Sequence, residues 1–211
     1  MSEWRHLNVD VIIDGEPRRI DSQIRTDFVK EYGLDELIGS RYSEIFIADL
    51  IVYRELNHVD PKLIINEIRN LENLDNKSYT KNATQFRRSP LHPLWHKHYF
   101  SSHFVAHNLY NEFKRGFKGM WDDAMGEEGS VIEKKHIDKL AHNLVEGSFQ
   151  KRTDEKRMTG EWLVFSRQKS GNVYLCLATH ETGDENIYKK VEYCCEHQFP
   201  TLEPFASNRS R

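Results

Sequence analysis

Cysteine is scarce in this chain, and long apolar runs are missing from it. The 211 residues include three cysteines, Cys176, Cys194 and Cys195. An odd number of cysteines, in a chain whose first residues lack a signal-peptide pattern, argues against a disulfide framework. Cys176 alternates within a strand-like run and is expected to be a buried free thiol. No apolar run approaches the length that crosses a bilayer, so we expect a cytoplasmic protein without a membrane partner.

The glycine motifs of several common enzyme classes are missing as well. None of the 11 glycines falls into a GxGxxG, GxxxxGK[ST] or GxSxG pattern. Dinucleotide-binding Rossmann sites, phosphate-binding P-loops and serine hydrolases therefore have no support in the sequence. The acids of "WDDAMGEE" also lack the ligand periodicity of a calcium loop.

Charge is unevenly distributed along the chain. The formal net charge is −3, but residues 1–80 hold 16 acids and 10 bases, whereas residues 81–120 hold seven bases and the single acid Glu112. A basic block inside an acidic chain suggests an anionic substrate or a nucleic acid as the partner. The same block could instead pair with the acidic first part of the chain, and the sequence leaves both interpretations open.

Hydrophobic periodicity predicts an α+β fold. Residues 7–24 alternate around "DGEP", which is typical of a hairpin, and residues 160–180 form a second hairpin around "KSGN". The section between them is helical, and we expect the two hairpins to share one small antiparallel sheet. We predict a single domain over residues 1–199, with a possible sub-division at the glycine-rich residues 116–130, and a mobile tail over residues 200–211.

Capping residues mark several helix boundaries. Gly33 follows "IRTDFVKEY" as a C-terminal cap, and "YSEIFIADLIVYREL" reads as a strongly apolar helix. Asp60 and Pro61 have the positions of an N-cap and a first helical residue, which predicts a helix start there. Thr182 is the expected cap of the last helix, whose first turn is acidic.

Residues 91–113 hold five of the 11 histidines. We predict a helix over residues 94–114, entered through two prolines. At about 100° per residue, this helix brings three histidines into one stripe about 40° wide and turns His98 to the opposite side. The three are His96, His103 and His107. Tyr99 and Tyr110 flank this stripe, which lies beside an apolar face and is therefore expected to line a cleft.

Metal binding is one interpretation of the stripe. His103 and His107 have the i, i+4 spacing that lets two imidazoles reach one ion. The segment "HFVAH" lacks the glutamate of HExxH, so the zinc-protease pattern is excluded, and no CxxC motif reinforces a metal site. We predict no cofactor, while a divalent metal bound by histidine stays an alternative.

Acid–base catalysis without a metal is the interpretation that we favour. Cleavage of RNA through its 2′-hydroxyl needs a base, an acid and a cation for the developing phosphorane charge, and histidine can give or take a proton near neutral pH. The predicted function is a histidine-dependent hydrolase of a phosphodiester or another anionic substrate, such as an RNA-cleaving enzyme. The candidate catalytic residues are His96, His103, His107, Tyr99, Tyr110 and His180. The candidate substrate-binding residues are Arg87, Arg88, Lys97 and Asn111.

A binding protein without catalysis is the main alternative. Tyrosine, tryptophan and arginine are favoured at interaction sites, and the basic, aromatic residues 81–120 provide them. A purely structural role, with the imidazoles bonded to backbone carbonyls, is also consistent with the sequence. The oligomeric state is left open.

Overall fold

The computed structural model describes residues 8–13, 15–57, 59–74, 78, 80–100, 118–119, 121–123, 134–143, 161–179 and 181–202. These residues contain both helices and antiparallel sheets, so the predicted mixed α+β class is confirmed. None of the helices in this part of the chain is both long enough and apolar enough to cross a lipid bilayer.

The chain begins with a two-stranded hairpin and a capped helix. Strands β1 (Val9–Ile13) and β2 (Glu16–Ile20) pair antiparallel. Asp21 then caps helix α1 (Ser22–Tyr32), because its side chain accepts hydrogen bonds from two backbone N–H groups of the first turn. The helix ends at Gly33, whose left-handed backbone (φ 61°) suits glycine. The predicted cap at Gly33 is confirmed.

Three further helices complete the first half of the chain. They are α2 (Leu34–Ile38), α3 (Glu44–Asn57) and α4 (Pro61–Leu71). Asp60 accepts from the backbone N–H of Lys62 and Pro61 occupies the first turn, so the predicted start of this helix is confirmed. The isoleucines on one face of α4 are buried and join the main hydrophobic core.

A four-stranded antiparallel sheet occupies the second half of the chain. Its strands lie in the order β3 (Thr84–Gln85), β4 (Trp95–Tyr99), β5 (Glu161–Gln168) and β6 (Gly171–Ala178). Helix α5 (Lys134–His142) falls between β4 and β5 in the sequence, and helix α6 (Asp184–His197) follows β6. The cap of α6 is Gly183, without a side-chain hydrogen bond, so the prediction of Thr182 was one residue early. The hairpin predicted around "KSGN" is β5–β6 and is confirmed.

The expectation that the two hairpins share one sheet is wrong. The edge of β6 is already covered, because Ser43 N–H donates to the Tyr174 carbonyl and Tyr174 N–H donates to the Arg41 carbonyl. The other edge of β5 pairs with β4. Strand β1 instead packs against α3, so the N-terminal hairpin stays a separate two-stranded sheet.

The predicted histidine helix is also wrong over the residues of that segment that the structure describes. Residues 95–99 form strand β4, paired on one side with β3 and on the other with β5. Those neighbours satisfy the backbone groups that a helix would satisfy internally, and the aromatic residues of "WHKHY" suit a strand. Successive side chains of a strand point to opposite faces, so His98 lies on the same face as His96 and not on the opposite side as predicted. Residues 101–114 of the predicted helix lie outside the described residues.

The two faces of the four-stranded sheet have different coverings. Tyr99, Leu163 and Phe165 belong to the core that the sheet forms with α1, α3 and α4. On the second face, α6 packs on β5 and β6 through a smaller core that contains all three cysteines. Cys176 is a buried free thiol, as predicted. Leu202 is 4% exposed and joins this core, so the packed chain extends at least to that residue.

A charged network lies between α4 and β4. The side chain of Lys97 is only 1% exposed, and its ammonium nitrogen is 3.0 Å from Glu67 Oε2. Lys97 Nζ also donates to Ser78 Oγ (2.8 Å), Thr80 Oγ1 (2.6 Å) and the Lys81 carbonyl (2.7 Å). A buried ammonium group needs such a set of partners, since burial without them costs several kcal/mol. Lys97, which belongs to the basic block of residues 81–120, is therefore paired with an acid from the first 80 residues of the chain.

The Lys97–Glu67 pair predicts a large effect on stability. We expect Glu67→Gln to lower the free energy of unfolding by about 3 kcal/mol, because it leaves the buried ammonium of Lys97 without a counter-charge. Urea denaturation followed by circular dichroism measures this loss. The matched control is Asp10→Asn, which removes the exposed pair of Asp10 with Arg19 and should leave stability almost unchanged. Equal losses of unfolding free energy in the two variants would contradict the prediction that the buried pair stabilises the fold more than the exposed pair does.

Candidate functional site

The second face of β4 carries a cluster of imidazole and aromatic rings. The rings of His96 and His98 have their centroids 5.5 Å apart and are nearly perpendicular, at 82°. The Phe86 ring lies 4.6 Å from that of His96, and the Trp162 ring lies 5.2 Å from it. We call the patch formed by these four side chains the His96 face. Two of its members, Phe86 and Trp162, are partly buried and pack against the smaller core that α6 helps to form.

The surroundings of His96 orient its ring. Thr84 is opposite His96 in the β3–β4 register, and its Oγ1 is 3.1 Å from His96 Nε2 at an exposed position. His98 lies deeper and is 7% exposed. His96, which is half-buried, is thus the more accessible imidazole of the pair.

Two arginines follow Phe86 directly in the sequence. Arg87 and Arg88 are exposed in the segment between β3 and β4, which is closed by a hydrogen bond from Phe86 N–H to the Leu94 carbonyl. Neither forms an ion pair with an acid among the residues that the structure describes. Guanidinium groups bind phosphate oxygens through paired hydrogen bonds. Two exposed arginines thus follow directly after the aromatic residue whose ring packs on His96.

Two of the predicted site residues lie away from the His96 face. Tyr99 is on the opposite face of β4, is fully buried, and donates to Glu161 Oε2 over 2.7 Å. Burial and the charge of Glu161 raise the pKa of Tyr99 well above its usual value, so its phenol keeps its proton at neutral pH. Lys97 points to that same inner face. Its pairing with Glu67 favours a structural role over phosphate binding.

The other predicted site residues lie outside the described residues, and their roles stay predictions. They are His103, His107, Tyr110, Asn111 and His180. Among the residues that are described, no group of three or more histidine, cysteine or acidic side chains is arranged to hold a metal ion. The metal hypothesis depends on His103 and His107, so it also stays a prediction.

Several residues of this region escaped the sequence analysis. Phe86 and Trp162 belong to the His96 face, and Thr84 contacts His96. Reading "WHKHYF" with a period of two would have indicated a strand whose histidines need neighbours on adjacent strands. Asp49 was also missed. Its carboxylate accepts from the Leu177 N–H and from Lys190 Nζ, each over 2.8 Å. The signal was a single acid inside the apolar run "IFIADLIV", since a charged residue on a buried face needs a partner.

A small cavity of about 100 Å³ lies between α1, α2 and α3, away from the His96 face. Three of its charged groups, those of Arg25, Glu44 and Asp35, already have partners in the chain. Arg25 donates to Glu44 at 3.3 Å, and Tyr42 donates to Asp35 at 2.6 Å. We therefore place no functional site there.

A second charged network lies near the β5–β6 turn. Arg41 makes two hydrogen bonds to Glu72, and the side chains of Tyr174 and Asn172 also donate to that carboxylate. The guanidinium lies so close to Gly171 (φ +116°) that a Cβ there would come within 2.5 Å of it. Burial alone would raise the pKa of Glu72, but these hydrogen bonds outweigh it and lower the pKa of the carboxyl below its usual value. Arg41 is thus neutralised by Glu72.

The lowered pKa of Glu72 predicts a pH-dependent contribution to stability. In the acidic range the unfolded chain binds more protons than the folded chain, so the contribution is present at neutral pH and fades as the pH falls through the lowered pKa. We expect Glu72→Gln to shift the urea midpoint downward near pH 7 and to have a much smaller effect at about pH 3. Glu192→Gln, at an exposed position of α6, is the control and should show no such difference. A Glu72→Gln effect of the same size at both pH values would contradict the prediction.

Comparison of the chain with profiles of known protein families, with curated proteins and with solved structures gave no match. What the His96 face can do must therefore be inferred from its own residues. They combine a surface imidazole, a second imidazole beside it, two aromatic walls and two adjoining arginines.

Proposed function

We propose that this chain cleaves phosphodiester bonds in RNA at the His96 face. The observation that carries the proposal is the placement of His96 and His98 side by side on β4, with the Nε2 atom of His96 at a surface hydroxyl. A surface imidazole that already contacts a hydroxyl is suited to take a proton from another hydroxyl. The arginines that follow Phe86 supply positive charge for the phosphate.

The chemistry assigns each group a role. The 2′-hydroxyl of the substrate replaces Thr84 Oγ1 and gives its proton to His96 Nε2 while its oxygen attacks the phosphorus. The bond from phosphorus to the 5′-oxygen breaks, and His98 in its protonated form supplies the proton that the leaving oxygen takes up. Arg87 and Arg88 bind the phosphate oxygens as their negative charge increases. The roles predicted for His103, His107, Tyr110, Asn111 and His180 extend this proposal.

Binding of RNA without cleavage is the second candidate. It is favoured by the contrast between the exposed Arg87 and Arg88 and the burial of His98, which is 7% exposed. In this case the His96 face is a platform on which an aromatic base or ribose packs, and the arginines hold the phosphates. The two candidates differ in whether His96 is needed for a chemical step.

Replacement of His96 tests the catalytic role. We expect His96→Ala to lower the rate of cleavage of an end-labelled RNA oligonucleotide by about a hundredfold or more, because the general base is lost. The control is His197→Ala, which removes an exposed histidine at the end of α6 and should leave the rate unchanged. Denaturation curves of both variants establish that they are folded.

The same assay separates the alternatives. An RNA with a 2′-deoxy group at the cleaved nucleotide should resist cleavage if the 2′-hydroxyl is the nucleophile. Cleavage that is lost on addition of EDTA and restored by a divalent metal would support a His-ligated metal site instead. Binding of RNA by the wild-type protein without any cleavage would support the second candidate and reject catalysis.

A further inference from the structure

Strand register brings two remote basic segments to one end of the four-stranded sheet. Gln85 of β3 is opposite Trp95, and Trp95 is opposite Phe165 of β5. Since both outer strands are antiparallel to β4, they run in the same direction. Arg87 comes two residues after Gln85, and Arg167 comes two residues after Phe165. The two arginines therefore lie at the same end of the sheet, about two strand spacings or ~10 Å apart.

The positive charges at this end are not neutralised within the described part of the chain. The exposed cations are Arg87, Arg88, Arg167 and Lys169. None of them forms an ion pair with a described acid. Glu72, which reaches this end through Asn172 and Tyr174, is already occupied by both terminal nitrogens of Arg41. We call the four cations the basic end of the sheet.

One cation of the basic end is stacked on an aromatic ring. The guanidinium carbon of Arg167 lies 3.7 Å from the centroid of the Trp95 ring. Such a contact holds the planar group flat against the indole, and Arg167 as a whole is exposed. An arginine plane ordered in this way offers its outer face to a nucleic-acid base, which stacks on guanidinium groups as it does on aromatic rings.

We infer that the basic end binds single-stranded nucleic acid, with phosphates on Arg87, Arg88 and Lys169 and one base stacked on Arg167. A duplex pairs and stacks its bases internally, so it cannot offer a base face to Arg167 without opening. Arg87 follows Phe86, whose ring packs on His96, so this part of the basic end adjoins the His96 face. Arg167 stacks on Trp95, which lies on the other face of β4. The inference rests on the proposed function for the choice of RNA as substrate, but the binding itself does not require cleavage.

Binding is measured with a labelled single-stranded DNA oligonucleotide by fluorescence anisotropy. DNA lacks the 2′-hydroxyl, so the proposed reaction cannot consume the probe. With three phosphate contacts, the logarithm of the association constant should fall with the logarithm of salt concentration with a slope of about −2. Arg87→Ala, Arg88→Ala and Lys169→Ala should each reduce the slope by about 0.7, whereas Lys62→Ala, which removes an exposed cation of α4, should not change it.

The variant Arg167→Lys tests stacking separately from charge. Lysine keeps the positive charge but has no planar group, so we expect single-stranded DNA to bind about tenfold more weakly. Heparin, a polyanion without bases, should bind the variant as well as it binds the wild-type protein. A DNA duplex of the same sequence should bind more weakly than the single strand to the wild-type protein.

The outcomes decide between this inference and the proposed function. Failure of the wild-type protein to bind single-stranded DNA at about 50 mM salt, or an Arg167→Lys variant that binds it unchanged, overturns the inference. An equal loss of heparin binding in Arg167→Lys overturns the stacking role. RNA cleavage that persists without DNA binding overturns the inference alone. DNA binding that persists in a protein without any RNA cleavage overturns the proposed function alone.

Discussion

The pairing of Lys97 with Glu67 is the constraint on which the candidate site depends. An ammonium group in the core is tolerated only where a carboxylate and further acceptors surround it, and α4 provides that carboxylate on one face of β4. Lys97 must therefore point toward α4. The alternation of a strand then places His96 and His98 on the other face, toward Phe86 and Trp162. An interaction in the core thus decides the face of β4 on which both imidazoles lie.

The same strand separates two kinds of polar chemistry. On the inner face, Tyr99 and Glu161 form a sealed hydrogen bond between β4 and β5, which supports the pairing of two strands that residues 100–160 separate in the sequence. On the outer face, the histidines lie beside an arginine-bearing connection that contains no described acid. Buried pairs thus stabilise the scaffold, while the exposed cations stay available for a partner.

Local signals in the sequence predicted much of the fold. The caps at Gly33 and Asp60, the apolar helix that contains Asp49, and the β5–β6 hairpin were all read correctly, because their determinants lie within a few residues of one another. The histidine segment was misread because "WHKHYF" suits either a helix or a strand over so short a length. Of the candidate site, the sequence indicated His96, Arg87 and Arg88 but not Phe86 and Trp162, which adjacent strands and the β3–β4 connection bring to His96.

By itself the sequence determined the α+β class, the end of α1, the start of α4, the free thiols and the concentration of histidine and positive charge in one segment. Only the tertiary structure decided that β4 is a strand, which of its faces is buried, and that Arg167 and Lys169 join Arg87 at one end of the sheet. The physical reason is that strand pairing satisfies backbone hydrogen bonds between residues far apart in the chain. Which strands pair with each other depends on the whole fold, so a local sequence pattern cannot predict it.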